Sequence, residues 1–276
     1  MKPIKRILYP TDFSAMSVLG YQYCLSLARQ LNARVDVLHV YRIDFGVPVT
    51  DAIAYKMIEG RKENAHLKLG KFVHLQKIKE NDLTEGLDIH AHAAVGMPED
   101  AIVAFSKNNK IDLIVMPTHG EHNLIETLFG SVTTEVAKTS SCPVLIVPEQ
   151  VTYRKITEIA YATDLSLENI NKAAMPLSLA GLLQANLHYV HVYSDKKAEI
   201  GEVDELLAAN TFDIAVLFHE LKGKTVQEGV KLFLKEKNID LLMAYSPPKN
   251  FFERLLRLST TKHLLEHISC PLLIMR

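Results

Sequence analysis

The chain has 276 residues, 48% of them hydrophobic and 23% charged, a balance that suits a globular protein with room for two ordinary domains. Lys and Arg number 31 against 32 Asp and Glu, which excludes the basic excess of a broad nucleic-acid-binding face. Three cysteines argue against a disulfide framework, and no apolar run approaches the roughly 18 residues of a membrane helix.

The apolar stretch after Lys2-Pro-Ile-Lys-Arg6 stops at Pro10 and Asp12, too short for a secretory signal, so a cytoplasmic protein is expected. Ile7 to Tyr9 is a short strand ending at Pro10. A helix follows, with Ser14 as its N-cap and Cys24, Leu27, Ala28 and Leu31 at helical spacing. Val35 to Tyr41 is β-branched and apolar, a second strand. Between 51 and 80, Ala65, Leu69, Phe72 and Val73 share one helical face. A third strand is expected near Leu87 to Val95, and Pro98 then opens a helix at its first turn. Ile111 to Met116 is a nearly continuous apolar run, as in a central parallel strand buried on both faces. A loop from Pro117 to Phe129 leads to a last helix, and Pro143 to Val147 forms the final strand.

The pattern then recurs. Leu25 to Tyr41 aligns with Leu177 to Tyr193, with nine of 17 positions identical. Tyr9-Pro-Thr-Asp-Phe-Ser14 aligns with Tyr161-Ala-Thr-Asp-Leu-Ser166 at the same offset, 152. Ser141-Cys-Pro-Val-Leu-Ile146 aligns with Ser269-Cys-Pro-Leu-Leu-Ile274 at an offset of 128. Blocks recurring in order mean duplication. The offset falls by 24 (152 − 128), so the second copy is shorter between Val192 and Asp240, with a reduced helix expected around Glu202 to Ala209. The expected domains are residues 1–149 and 153–276.

Strand–helix alternation calls for an α/β fold with a doubly wound parallel sheet in each copy. Ligands of such sheets sit beyond the carboxyl ends of the strands, where strand order reverses. That edge holds Pro10, Thr11 and Asp12, then Val40 and Tyr41, then the loop after Met116. Gly130-Ser-Val-Thr133 opens a helix whose first N–H groups lack intrahelical partners and favour an anion such as phosphate. The Ser131 and Thr133 hydroxyls would add donors. Gly120, separated from Gly130 by nine residues, would let the backbone approach a ligand. Taken alone, this glycine spacing fits an ordinary turn and helix cap equally well.

These residues resemble a tandem universal stress protein over nearly the whole chain. The family pattern has an Asp after the first strand, Gly-x2-Gly-x9-Gly-(Ser/Thr) after the fourth, and a Cys-Pro final strand. The first copy supplies Asp12, Val40, Gly120, Gly130, Ser131 and Cys142-Pro143; the second supplies Asp164, Val192 and Cys270-Pro271. The resemblance implies two five-stranded sheets of order 3-2-1-4-5, with the adenine nucleotide alpha hydrolase-like fold. It implies a stress-response protein binding ATP or a related adenine nucleotide, with or without Mg2+. The implied contacts are Pro10, Thr11, Asp12, Val40, Met116, Pro117, Gly120, Gly130, Ser131, Val132 and Thr133. It further implies a sensor or regulator in which the copies pair as an intrachain pseudo-dimer, with a homodimer as a further form.

One departure is Pro117, which replaces the first loop glycine and carries no N–H. In the second copy Gly120 becomes Pro248, Gly130 becomes Leu258 and Pro117 becomes Tyr245, leaving Ser259 and Thr261. No ATP binding of the family kind is expected there. No catalytic base or nucleophile stands out, so turnover should be slow or absent. The alternatives are a nucleotide-free interaction module and a slow ATP hydrolase. Asp12 lacks the partners of a receiver or phosphatase acid, and no Lys follows Gly130 as a P-loop needs. His90, His92, His119 and His122 offer no complete zinc ligand set. His39 and His191 recur at one position, which suggests a structural role. Cys142 and Cys270 are taken as inert thiols in apolar segments.

Overall fold

The computed structural model describes residues 3–43, 50–79, 84–118, 130–163, 174–193, 213–223, 226–245 and 270–275. In the first repeat, β1 (Arg6–Pro10) leads to α1 (Ala15–Leu31), β2 (Arg34–Tyr41), α2 (Asp51–Lys79), β3 (Ile89–Val95), α3 (Pro98–Asn108), β4 (Leu113–Thr118), α4 (Ser131–Thr139) and β5 (Val144–Pro148). The second repeat gives β6 (Glu158–Ala162), α5 (Ala174–Leu183), β7 (Asn186–Tyr193), β8 (Val216–Lys222), α6 (Val226–Glu236), β9 (Leu241–Tyr245) and β10 (Leu272–Met275). Among the described residues no helix is long and apolar enough to cross a membrane.

Local chemistry explains most boundaries. The Ser14 hydroxyl accepts the Ser17 N–H and starts α1, while Asn32 ends it in the left-handed region at φ 49°. Pro98 occupies the first turn of α3, with Glu99 and Asp100 complementing the helix dipole. Ala65, Leu69 and Phe72 are buried on α2 and Val73 is half-buried, so the expected face is the packed one. Ile7, Leu8 and Tyr9 of β1 are fully buried; covering each such side chain contributes about 1.5–3 kcal/mol.

The strand order of the first repeat is β3-β2-β1-β4-β5, and that of the second, read from its own third strand, is β8-β7-β6-β9-β10. Both are the expected order 3-2-1-4-5, and the pairings resolved within each repeat are parallel. Among the described residues the chain divides into two compact units, residues 4–118 with 130–144, and Pro3 with the residues from 145 onward. Register makes the repeat equivalence physical. Ile7 pairs with Leu113 and Ile159 with Leu241, shifts of 152 and 128. Val35 pairs with Ile89 and Leu187 with Val216, shifts of 152 and 127. The net loss of 24 is therefore 25 residues lost between the second and third strands and one regained before the fourth.

One expectation changes and another is left untested. β4 runs on through Pro117 and Thr118, so Pro117 is a strand residue and not the start of the loop. Pro117 lies beyond the last β1–β4 pair, Leu8 with Ile114, and brings no N–H to that edge of the strand. The short helix expected near Glu202 to Ala209 lies outside the described residues.

Candidate functional site

β1 hands the chain to α1 through a tight, hydrogen-bonded turn. The Thr11 N–H donates to the Leu38 carbonyl (2.8 Å), the last main-chain bond to β2. Phe13 then adopts φ 67°, which is uncommon for a residue with a bulky side chain. Its N–H donates to the Thr11 hydroxyl (3.1 Å). Asp12 Oδ1 accepts the Ser14 N–H (3.0 Å) and the Ser17 hydroxyl (2.5 Å). Burial pushes the Asp12 carboxyl up, but the bonds from Ser14 and Ser17 outweigh it and hold the group below its ordinary value. Asp12 is therefore an ionised carboxylate fixed at a helix start, with Oδ2 outside these bonds.

His39 completes this corner. Its Nδ1 lies 2.9 Å from the Thr11 carbonyl, so Nδ1 carries the proton and donates it. The ring rests on Phe13, centroids 4.2 Å apart, and Phe13 in turn meets Phe72 of α2 at 5.7 Å. His191 makes the same bond to the Thr163 carbonyl (3.1 Å). The recurrence of this histidine in both copies was the visible signal. What it does needed the fold: it satisfies the carbonyl that the strand ladder leaves open.

Val40 stands two residues beyond the end of the β1–β2 ladder, whose last pair is Pro10 with Leu38. Main-chain polar groups alternate in direction along a strand. Leu38 turns its carbonyl toward β1, so Val40 turns its N–H and C=O the same way, past the point where β1 has ended. A main-chain donor and acceptor thus face the edge beside Asp12.

The third part of the edge comes from β4 and α4. Met116 is buried in β4. The Pro117 ring packs on α1: a Cβ at Gly20 would lie 2.7 Å from the Pro117 Cβ and 2.9 Å from the Tyr9 hydroxyl. Gly120, His119 and His122 lie outside the described residues. Gly130 caps α4 at φ 72° with no side-chain capping bond, and among the described residues nothing lies within 4 Å of where its Cβ would stand. The first helical bond runs from the Thr134 N–H to the Gly130 carbonyl (3.0 Å). The N–H groups of Ser131, Val132 and Thr133 therefore have no intrahelical acceptor. Ser131 is exposed and Val132 half-buried, but Thr133 is 5% exposed. Thr133 is thus largely withdrawn from solvent, while its N–H remains without an intrahelical acceptor.

The histidines outside this edge have other partners. His90 Nε2 sits 2.7 Å from Asp88, and His92 Nε2 sits 2.8 Å from Asp36. Each histidine thus has one acidic partner, and among the described residues no group of three or more His, Cys, Asp or Glu could hold a metal. Burial pushes the Cys24, Cys142 and Cys270 thiols upward, the opposite of an activated thiolate.

The universal stress protein family model matches residues 3–148 and again 193–276. A universal stress protein of Methanocaldococcus jannaschii is 33% identical over 144 residues, covering 52% of this chain and 81% of the relative. A second from the same organism is 32% identical over 152 residues, covering 52% of this chain and 94% of the relative. A universal stress protein crystal structure from Archaeoglobus fulgidus matches 98% of this chain and 96% of its own, with a TM-score of 0.69. At 20% identity that likeness shows the fold alone. The chain belongs to the universal stress protein family, as a tandem of two such domains.

Proposed function

We propose that the first domain, residues 1–149, binds ATP or a related adenine nucleotide, and that the protein acts as a nucleotide-dependent sensor or regulator in a stress response. The observation that carries this is the start of α4: Gly130 at positive φ, no side chain capping the helix, and three main-chain N–H groups without intrahelical acceptors. A nucleotide's phosphates supply the acceptors these donors lack. Asp12 Oδ2 and the Val40 main chain, at the ends of neighbouring strands, offer acceptors and a donor suited to the edge of an adenine ring. Ser131, exposed beside the helix start, suits a ribose or phosphate oxygen. The role assigned to the second domain, residues 153–276, is structural, because Leu258 replaces the capping glycine.

Among the described residues no base stands poised over these groups, and Asp12 is engaged in its own turn. Binding without rapid turnover is the expected behaviour. Isothermal titration of the intact protein with ATP tests it. Wild type is expected to bind at one site per chain, and Gly130→Leu, which installs the second domain's residue, to abolish the heat. Wild-type protein that gives no heat, or a variant that binds as well as wild type, overturns the proposal.

A further inference from the structure

The two repeats differ at the point where their strand order reverses. In the second, β6 pairs with β9 to the end of the strand: Ile159 with Leu241, Ala160 with Leu242, Tyr161 with Met243 and Ala162 with Ala244. In the first, the equivalent ladder has only Ile7 with Leu113 and Leu8 with Ile114. Pairing ceases there although β1 continues to Pro10 and β4 to Thr118.

The directions of the main-chain groups identify the cause. Thr11 donates toward β2, so Arg6, Leu8 and Pro10 point toward β4. The Ile114 N–H donates away from β1, to the Pro143 carbonyl (3.0 Å), so Leu113, Val115 and Pro117 point toward β1. The next two rungs would run from the N–H of residue 10 to the Val115 carbonyl, and from the N–H of residue 117 to the residue 10 carbonyl. Both donors are prolines, and neither N–H exists. The second repeat has Ala162 and Tyr245 at these positions, and its ladder is complete.

We propose that Pro10 and Pro117 are a pair of positioning residues that leave the β1–β4 seam unlatched, so that these strand ends yield to admit an adenine nucleotide while the second domain's seam stays closed. A single proline would remove one rung and leave the other. The two together remove every main-chain bond across the last part of the seam, at the carboxyl edge of the sheet where Asp12 and Val40 stand. The Pro117 ring does not obstruct that edge, because it is turned onto Gly20 of α1. This inference rests on nucleotide binding by the first domain, whereas the latch itself can be read without nucleotide.

The test is the double variant Pro10→Ala/Pro117→Ala in the full chain, followed by amide hydrogen exchange and by titration with ATP. The new amides at 10 and 117 are expected to be protected, the thermal midpoint to hold or rise, and affinity for ATP to fall by at least about tenfold, the size of effect one or two restored bonds would produce. A loss of binding together with a loss of stability would mean a merely structural role and would overturn the proposal. So would free exchange at 10 and 117, or protection there with unchanged affinity. If wild type itself binds no nucleotide, the exchange result still decides whether the prolines hold the seam unlatched, and the failure then belongs to the nucleotide assignment.

Discussion

The amino-terminal ends of the two sheets solve one packing problem with acidic and basic side chains exchanged. In the first repeat the Asp36 carboxylate, fully buried, takes bonds from Arg6, from Arg34 (2.6 Å) and from His92 (2.8 Å), and His92 packs on Phe105. In the second, the residue equivalent to Asp36 is His188. It bonds Glu158 (2.7 Å), the counterpart of Arg6, and His219 (2.9 Å), the counterpart of His92. His219 packs on Phe233, the counterpart of Phe105. The histidine and the phenylalanine persist, while the buried acid becomes a base and its outer arginine becomes an acid. A duplicated core tolerates such an exchange only when both partners change, because a lone buried charge costs far more than a pair.

The largest expected effect comes from breaking that exchange halfway. Asp36→His installs the second repeat's residue without its Glu158, leaving Arg6 and Arg34 without their shared acceptor. A loss of about 3–5 kcal/mol is expected in urea denaturation, the usual cost of breaking a buried ion pair from one side. A smaller effect is expected at Gly20, where a methyl group would meet both Pro117 and Tyr9. Overpacking of this kind costs about 1–3 kcal/mol, and Gly20→Ala should show it as a lowered thermal midpoint.

The mildest prediction concerns the order in which the domains respond to acid. Burial, then His188 and Lys237, hold His219 below its ordinary value against an upward pull from Glu236. Its unfolded form therefore binds a proton first, near pH 6.5, and the stability it contributes is lost as pH falls from there. Burial pushes Asp36 up, but bonds from Arg34, His92 and Arg6 outweigh it and hold the carboxyl below its ordinary value. Its contribution persists until pH falls below about 4, through the folded value. Between pH 7 and pH 5, amide exchange should quicken in β7 and β8 while β1 to β3 stay protected. His219→Gln should remove the difference. Equal quickening in both domains would show that the exchanged charges do not set the acid response.

Much of this was legible along the chain. Most elements follow from apolar periodicity and from caps such as Ser14 and Pro98, which act on residues a few positions away; the duplication follows from the recurring blocks, and the strand order was implied by the family resemblance. The edge proposed to take a nucleotide was marked in the sequence by Asp12, Val40 and Gly130, which local pattern places at strand ends and a helix start. The burial of Thr133 was not legible, because it depends on how α4 packs and not on local pattern. Pro117 was misjudged as a loop residue because its meaning lies in a strand more than a hundred positions earlier.

By itself, then, the sequence determined that two α/β repeats would form and that a glycine-capped helix would start at the edge of the first, since these depend on short-range spacing and backbone freedom. Only the tertiary structure decided which strand Pro10 and Pro117 leave unpaired, which carbonyl His39 satisfies, and that Asp36 and His188 occupy equivalent nodes. Those outcomes depend on register between strands far apart in the chain, where the identity of a partner is fixed by pairing and not by sequence distance.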